Sequence, residues 1–156
     1  MERALIDHER ARYVEGRITE RYGAAGPVQE ARKGELEKYR SAALNAVPFL
    51  RQTGLLQLAA FWNANKKDAP EHLLLGHLLK WLTVSPVTKE LFPSRPVASA
   101  ESALASLLSL TSDGLALAEA EAEALLGWVK RIVEGRYKEA EHLKQTDEQK
   151  AKGLPQ

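Results

Sequence analysis

The stretch LEKYRSAALNAVPFLRQTGLLQLAAFW, residues 36–62, decides the fold. Leu36, Tyr39, Ala43, Val47 and Leu50 recur at steps of 3, 4, 4 and 3, which places them on one face of a helix. Gly54 then suits a helix end, because a residue without a β-carbon takes the left-handed conformation without a clash. Leu55, Leu58 and Ala59 open a second apolar stripe behind it. The reading is a helical hairpin broken by one glycine, with Leu36 to Leu50 and Leu55 to Phe61 as its core side. Pro48 sits inside the first arm. It has no N–H to bond back to Leu44 and crowds that turn, so a kink or an early break is expected there.

Outward from the hairpin the same period continues. Residues Glu2 to Tyr22 read as a charged helix with Ala4, Ala11, Val14, Ile18 and Tyr22 as a thin apolar stripe. Gly23, Gly26, Pro27 and Gly34 punctuate a loop over 23–34, before a helix opening near Glu35. The helix after Gly54 runs to Asn63 or Asn65. Asp68 is placed to cap the next, with Glu71 three residues on completing a capping-box pattern. That helix, about Ala69 to Thr83, is apolar on nearly every side through Leu73, Leu74, Leu75, Leu78, Leu79, Trp81 and Leu82, and reads as the buried centre. Val84 to Val97 carries Pro86, Pro93 and Pro96 and reads as a crossover. Ser99 caps a fifth helix containing Leu104, Leu107 and Leu108. After Thr111-Ser112-Asp113-Gly114, a long sixth helix carries Leu115, Ala118, Ala122, Leu125, Val129 and Ile132 as a docking seam. From Gln145 the chain is polar and reads as a frayed tail, 145–156. No segment alternates with the period of a strand. The fold class is all-α: one domain over 1–156, a bundle of about five to six helices with a long charged N-terminal helix, a core over about 35–138 and a long C-terminal helix.

At 156 residues the chain is long enough for one hydrophobic core. It has no cysteine, which excludes disulfides and thiolate metal sites. No apolar run approaches the roughly 18–20 residues of a membrane helix, so no membrane partner is expected and a cytoplasmic setting is. Net charge is +1, from 22 basic and 21 acidic residues, so global charge does not mark a nucleic-acid binder. Its distribution is uneven. Charges from Ser99 to Gly127 are all acidic, whereas from Trp128 to Lys138 they are Lys130, Arg131, Arg136 and Lys138 against Glu134 alone. Such a split suits a subunit touching two different neighbours; the helix dipole produces the same bias.

Catalytic groupings are missing from the pattern. His72 and His77 stand roughly 140° apart on a helix and cannot chelate from one face; His77, inside a leucine run, reads as a hydrogen-bonded core histidine. No phosphate-binding glycine loop and no Gly-x-Ser-x-Gly elbow occurs. Glu119, Glu121 and Glu123 point roughly 200° apart in succession and read as solvated charge. No catalytic, metal or cofactor site is expected. Basic residues beside apolar ones remain. Lys33, Arg40 and Arg51 are separated by 7 and 11 residues, near whole numbers of turns, so a helix reaching back to Lys33 aligns all three. Such a row can follow a phosphate backbone without reading sequence. Lys66 and Lys67 in a loop, and Lys130 and Arg131 after Trp128, extend the candidate RNA-binding set, and Arg3, Arg10 and Arg17 recur at steps of 7 on the first helix. The competing account is pairing with acids such as Glu37 and Glu134 on a solvated face. Trp62, Trp81 and Trp128, spaced among Leu and Val, read as core rather than base-stacking platforms.

The chain resembles the small helical subunit of type III-B CRISPR effector complexes, the Cmr or RAMP module. The resemblance rests on Tyr39 and Arg40, Pro48 a little over two turns later, Gly54-Leu55 with Gln57 and Phe61, the leucine run closing at Trp81-Leu82, and Trp128 with Lys130-Arg131, spanning about 35–138. It departs from that pattern at Thr53, where an Asn is expected, in the 23–34 stretch and in its tail beyond Tyr137. The resemblance implies a non-catalytic subunit that stacks in a minor filament and helps hold guide RNA and target RNA in antiviral defence. Its implied partners are the repeated backbone subunit, the large polymerase-like subunit and further copies of itself, with no cofactor. A helical module binding proteins alone, and the small subunit of a type III-A complex, are the alternatives; the Gly54-Leu55 and Trp128-Lys130-Arg131 features favour III-B.

Overall fold

A computed structural model describes residues 2–23, 30–92 and 100–153. Among them lie α1 (Glu2–Tyr22), α2 (Glu30–Thr53), α3 (Leu55–Asn63), α4 (Pro70–Val84), α5 (Ala100–Leu108) and α6 (Ser112–Ala151), with a 3-10 turn at Lys89–Leu91 and no strand. The expected all-α bundle is the observed one. At 40 residues, α6 is the spine, about 60 Å long at 1.5 Å per residue. Its buried seam is Ala118, Ala122, Leu125, Leu126, Val129 and Val133, and α2 packs on it more extensively than any other element. Small alanines at two successive turns allow close approach of the facing helix backbone.

The interior of the bundle is α4. Leu74, Leu75, Leu78, Leu79, Trp81 and Leu82 are buried on several sides, because α2, α3, α5 and α6 all contact this one helix. Tyr13 of α1 reaches α4 twice: its ring lies 5.0 Å from that of Trp81, and its hydroxyl donates to the His77 carbonyl at 2.6 Å. His77 Nδ1 shares a hydrogen bond of 2.9 Å with the Tyr39 hydroxyl of α2. Burial, with the nearby Arg17 and Lys80 charges, lowers the His77 pKa to about 4. The ring is therefore neutral at physiological pH, the hydrogen-bonded core histidine expected from its place in the leucine run.

Gly54 joins the two arms of the hairpin and belongs to both. Its N–H donates to the Leu50 carbonyl at 2.8 Å, closing α2, and its carbonyl accepts from Leu58 N–H at 3.1 Å, opening α3. Its φ of 85° is positive as expected, but ψ is 165°, so the residue lies outside the left-handed helical well, in a region that essentially only glycine occupies. Leu36, Tyr39, Ala43, Leu50, Leu55, Leu58 and Ala59 are buried as the period requires, with Val47 partly so.

Several expectations are corrected. Helix α2 runs unbroken through Pro48; the proline lies on the exposed side, while Ala46 and Leu50 are buried against the bundle. Packing of that opposite face offsets a loss of about 3 kcal/mol for an interior proline. The helix also starts at Glu30, not near Glu35, so residues 30–34 are helical rather than loop. Likewise α6 continues to Ala151, so residues 145–151 are helical rather than frayed; Gln145, Glu148, Gln149 and Lys150 are good helix formers whose lack of period reflects the lack of anything to bury against. Asp68 caps nothing: Ala69 is the N-cap of α4, without a side-chain bond, and Pro70 opens the helix, where its missing N–H has no intrahelical role. Phe61 is 62% exposed while its neighbour Trp62 is buried, and Ala4 faces solvent. The expected loop around Gly26 and Pro27, the prolines at 93 and 96, the Ser99 cap and the last residues of the tail lie outside the described residues.

Two predictions follow from this packing. Gly54→Ala forces a β-carbon into a positive-φ position 3.2 Å from Glu119 Oε1, and is expected to lower stability by roughly 1–3 kcal/mol in urea unfolding. For His77 the folded-state pKa of about 4 lies below its ordinary 6.5. The unfolded chain therefore binds the extra proton between these values, and the contribution of the neutral ring, full above pH 6.5, is lost as pH falls toward 4. Urea midpoints across that window should drop less steeply in His77→Leu than in the parent, with a difference on the order of 2–3 kcal/mol.

Candidate nucleic-acid interface

The aligned basic row of α2 faces α6. Lys33 Nζ lies 2.7 Å from Glu141 Oε1, Arg40 Nε donates to Glu134 Oε1 at 3.0 Å, and Arg51 Nε donates to Glu123 Oε1 at 2.6 Å. From Lys33 to Arg40 to Arg51 the chain advances 7 and then 11 residues; from Glu141 to Glu134 to Glu123 it retreats by the same steps. The two helices are thus antiparallel in a fixed register. Four residues past Arg51, and four before Glu123, the register makes one more contact: Glu119 Oε1 accepts from Leu55 N–H at 2.8 Å. That carboxylate supplies the N-terminal cap that Gly54, without a side chain, cannot provide. Arg40 is further fixed over the Tyr137 ring, 4.4 Å from its centroid.

The three ladder cations differ in accessibility. The side chains of Lys33 and Arg40 are 15% and 27% exposed, whereas that of Arg51 is 70% exposed. Arg51 also lines a cleft of about 320 Å³ between α1, α2 and α6, together with Arg3, Arg10 and Arg131 and the acids Asp7 and Glu123. Arg10 is committed inward: it donates to Glu121 Oε1 at 3.0 Å and Oε2 at 2.6 Å, and to Asp7 at 2.8 Å. Asp7 also accepts from Trp128 Nε1 at 3.2 Å, and this bond, then Arg10, holds its carboxyl below the usual carboxylate range. Arg131 lies over the Trp128 ring at 5.2 Å. Among the described residues neither Arg3 nor Arg131 has a carboxylate within ion-pair distance. The cleft therefore presents two exposed guanidinium groups free of ion pairs beside one exposed paired one, an arrangement that accepts a phosphate oxygen by bidentate, charge-assisted bonds.

The structure brings Arg51 and Arg131 to this one cleft. Lys130 is exposed on the adjoining surface of α6, while Lys66 and Lys67 are exposed in the connection between α3 and α4. Lys33 and Arg40 stand along the α2–α6 join, away from the cleft. No three His, Asp or Glu side chains that could hold a metal ion come together among the described residues.

Residues 7–136 match the family described as CRISPR-associated protein (Cas_Cmr5). The chain belongs to the CRISPR-associated Cmr5 family. It is a Cmr-type CRISPR subunit, a member of a complex with other subunits, as its resemblance implied. No curated protein and no solved structure matches the chain. No helix among its described residues is long and apolar enough to cross a membrane.

In this Cmr5-family chain, Glu119, Glu121 and Glu123 do not form the solvated run expected of them. Glu121 is 2% exposed and accepts from Arg10, from Trp81 Nε1 at 2.8 Å and from Ser85 Oγ at 3.1 Å, which joins α1, α4 and α6 at one carboxylate. Arg136 is a second buried charge, donating to the Gly23 carbonyl at 2.8 Å, to Thr19 Oγ1 at 3.0 Å and to Glu15. The spacing signals were present: Arg3 and Arg10 recur at a step of 7, and the acids of α6 mirror the row on α2. Glu121→Ala strands the Arg10 guanidinium in the interior and is expected to cost about 3–5 kcal/mol in urea unfolding, whereas Glu123→Ala, at an exposed pair, costs about 1 kcal/mol or less.

Proposed function

We propose that this chain is the non-catalytic small subunit of a type III-B CRISPR effector complex, acting in the cytoplasm. Several copies stack in a minor filament beside the backbone subunits, and their basic surfaces help hold guide and target RNA. The carrying observation is the cleft between α1, α2 and α6 where the exposed Arg3 and Arg131, without an ion pair among the described residues, stand beside the exposed Arg51. Contacts from such groups go to phosphates, and so suit a subunit that must accept any guide sequence. Lys130 extends the same surface, and Lys66 and Lys67 give a second point of contact. Stacking is supported by apolar side chains left uncovered on one copy, Phe61 at 62% and Leu108 at 66% exposure, on the neighbouring helices α3 and α5.

Binding of the purified chain to a generic single-stranded RNA over a salt series tests the reading. Arg51→Ala with Arg131→Ala should weaken binding and flatten the slope of log K against log salt by ~0.7 per lost phosphate contact. The same variant should release RNA from the reconstituted complex at lower salt. Unchanged slope and unchanged retention would leave the protein-only interaction module as the better reading.

A further inference from the structure

The last rung of the α2–α6 ladder is held differently from the other two. Lys33 is largely covered, and Arg40 is fixed over the Tyr137 ring, so both stay in the join. Arg51 stands near the end of α2 with its side chain 70% exposed, its partner Glu123 is 38% exposed, and no aromatic ring lies under its guanidinium among the described residues. Its Nε donates to Glu123 Oε1 at 2.6 Å, and its Nη2 reaches the same oxygen. Two donors thus converge on one acceptor, while Glu123 Oε2 has no hydrogen-bond partner among the described residues. A guanidinium met squarely by an oxyanion makes two parallel bonds, one to each oxygen, and this pair lacks that geometry. An exposed ion pair also contributes little by itself. Of the three rungs, this one is the most readily exchanged for another anion.

The acid of that rung lies inside the cleft described above. Asp7, the other acid lining it, is engaged by two donors, Arg10 and Trp128. Arg10 is taken up by Glu121 and Asp7 and gives Glu123 no alternative partner. We propose that Glu123 is a built-in competitor for the RNA phosphate that this cleft receives. In the free chain it occupies Arg51. A phosphate displaces it by offering Arg51 two oxygens side by side, and the carboxylate is left to water. One cleft on its own is thereby damped, because each phosphate must first open the rung. This inference rests on the reading of the cleft as an RNA contact and adds to it the residue that limits its affinity.

A double-mutant cycle on the purified full chain tests it, with a generic single-stranded RNA at about 0.1 M salt, where exposed charges more than about 10 Å apart are largely screened. Glu123→Gln should tighten binding about threefold or more, and should move the thermal midpoint by no more than about 4 °C. Arg51→Ala should then cost about threefold more affinity in the Glu123→Gln background than in the parent, because Arg51 contributes fully only once the carboxylate is gone. Glu139→Gln removes an exposed acid 16 residues further along α6, about 24 Å away, and should leave binding unchanged. Unchanged or weaker binding by Glu123→Gln overturns the competitor. So does an equal cost of Arg51→Ala in the two backgrounds, or an equal gain from Glu139→Gln. These outcomes leave the RNA reading standing as long as Arg51→Ala with Arg131→Ala weakens binding; if that variant binds as the parent does, the RNA reading falls and the competitor with it.

Discussion

The antiparallel join of α2 to α6 is the constraint from which the rest of the bundle is built. Its apolar part is a seam of alanines and leucines, and its polar part is a ladder of cations on one helix and carboxylates on the other, repeating with the same steps in opposite directions. Ion pairs of this kind contribute little stability individually. Their effect is on register: sliding either helix by one turn would set each cation against a different neighbour and dislodge the alanine seam. The register also decides where α3 begins, because Glu119 reaches the N–H of Leu55 only when the ladder is in place. The turn at Gly54 is thus held from outside as well as by its own backbone.

Around this pair the molecule fastens α1 by buried charge. Arg10 enters between α4 and α6 to meet Glu121, and Arg136 leaves α6 to hold the C-terminal end of α1. Each buried group is satisfied by several bonds, which offsets desolvation that a single contact would not. A consequence is that two arginines spaced by seven on α1 have opposite fates. Arg10 is structural; Arg3, one step earlier and beyond the packed interior, remains at the surface beside Arg131.

The hairpin, the buried α4 and the alanine seam were legible because apolar periodicity depends only on which residues share a face. Pro48 misled because its cost is local while the burial that offsets it is contributed by other helices. The ends of α2 and α6 were misplaced for a related reason: polar helical turns carry no period, and only the partner helix shows that Lys33 and Glu141 meet. At the candidate site, the alignment of Lys33, Arg40 and Arg51 was read correctly as one face. What that face opposed was not legible from one helix alone, although the mirrored spacing of Glu123, Glu134 and Glu141 was present in the chain.

By itself the sequence determined an all-helical chain, a glycine-divided hairpin and the resemblance to a Cmr-type subunit, since these rest on residue type and spacing along one chain. Tertiary structure alone decided which charges are structural and which are offered outward. A cation is available to a phosphate only where the packing of helices leaves it exposed to solvent. That depends on the register between α2 and α6, which leaves Lys33 and Arg40 in the join and sets Arg51 at the edge of a cleft with Arg3 and Arg131.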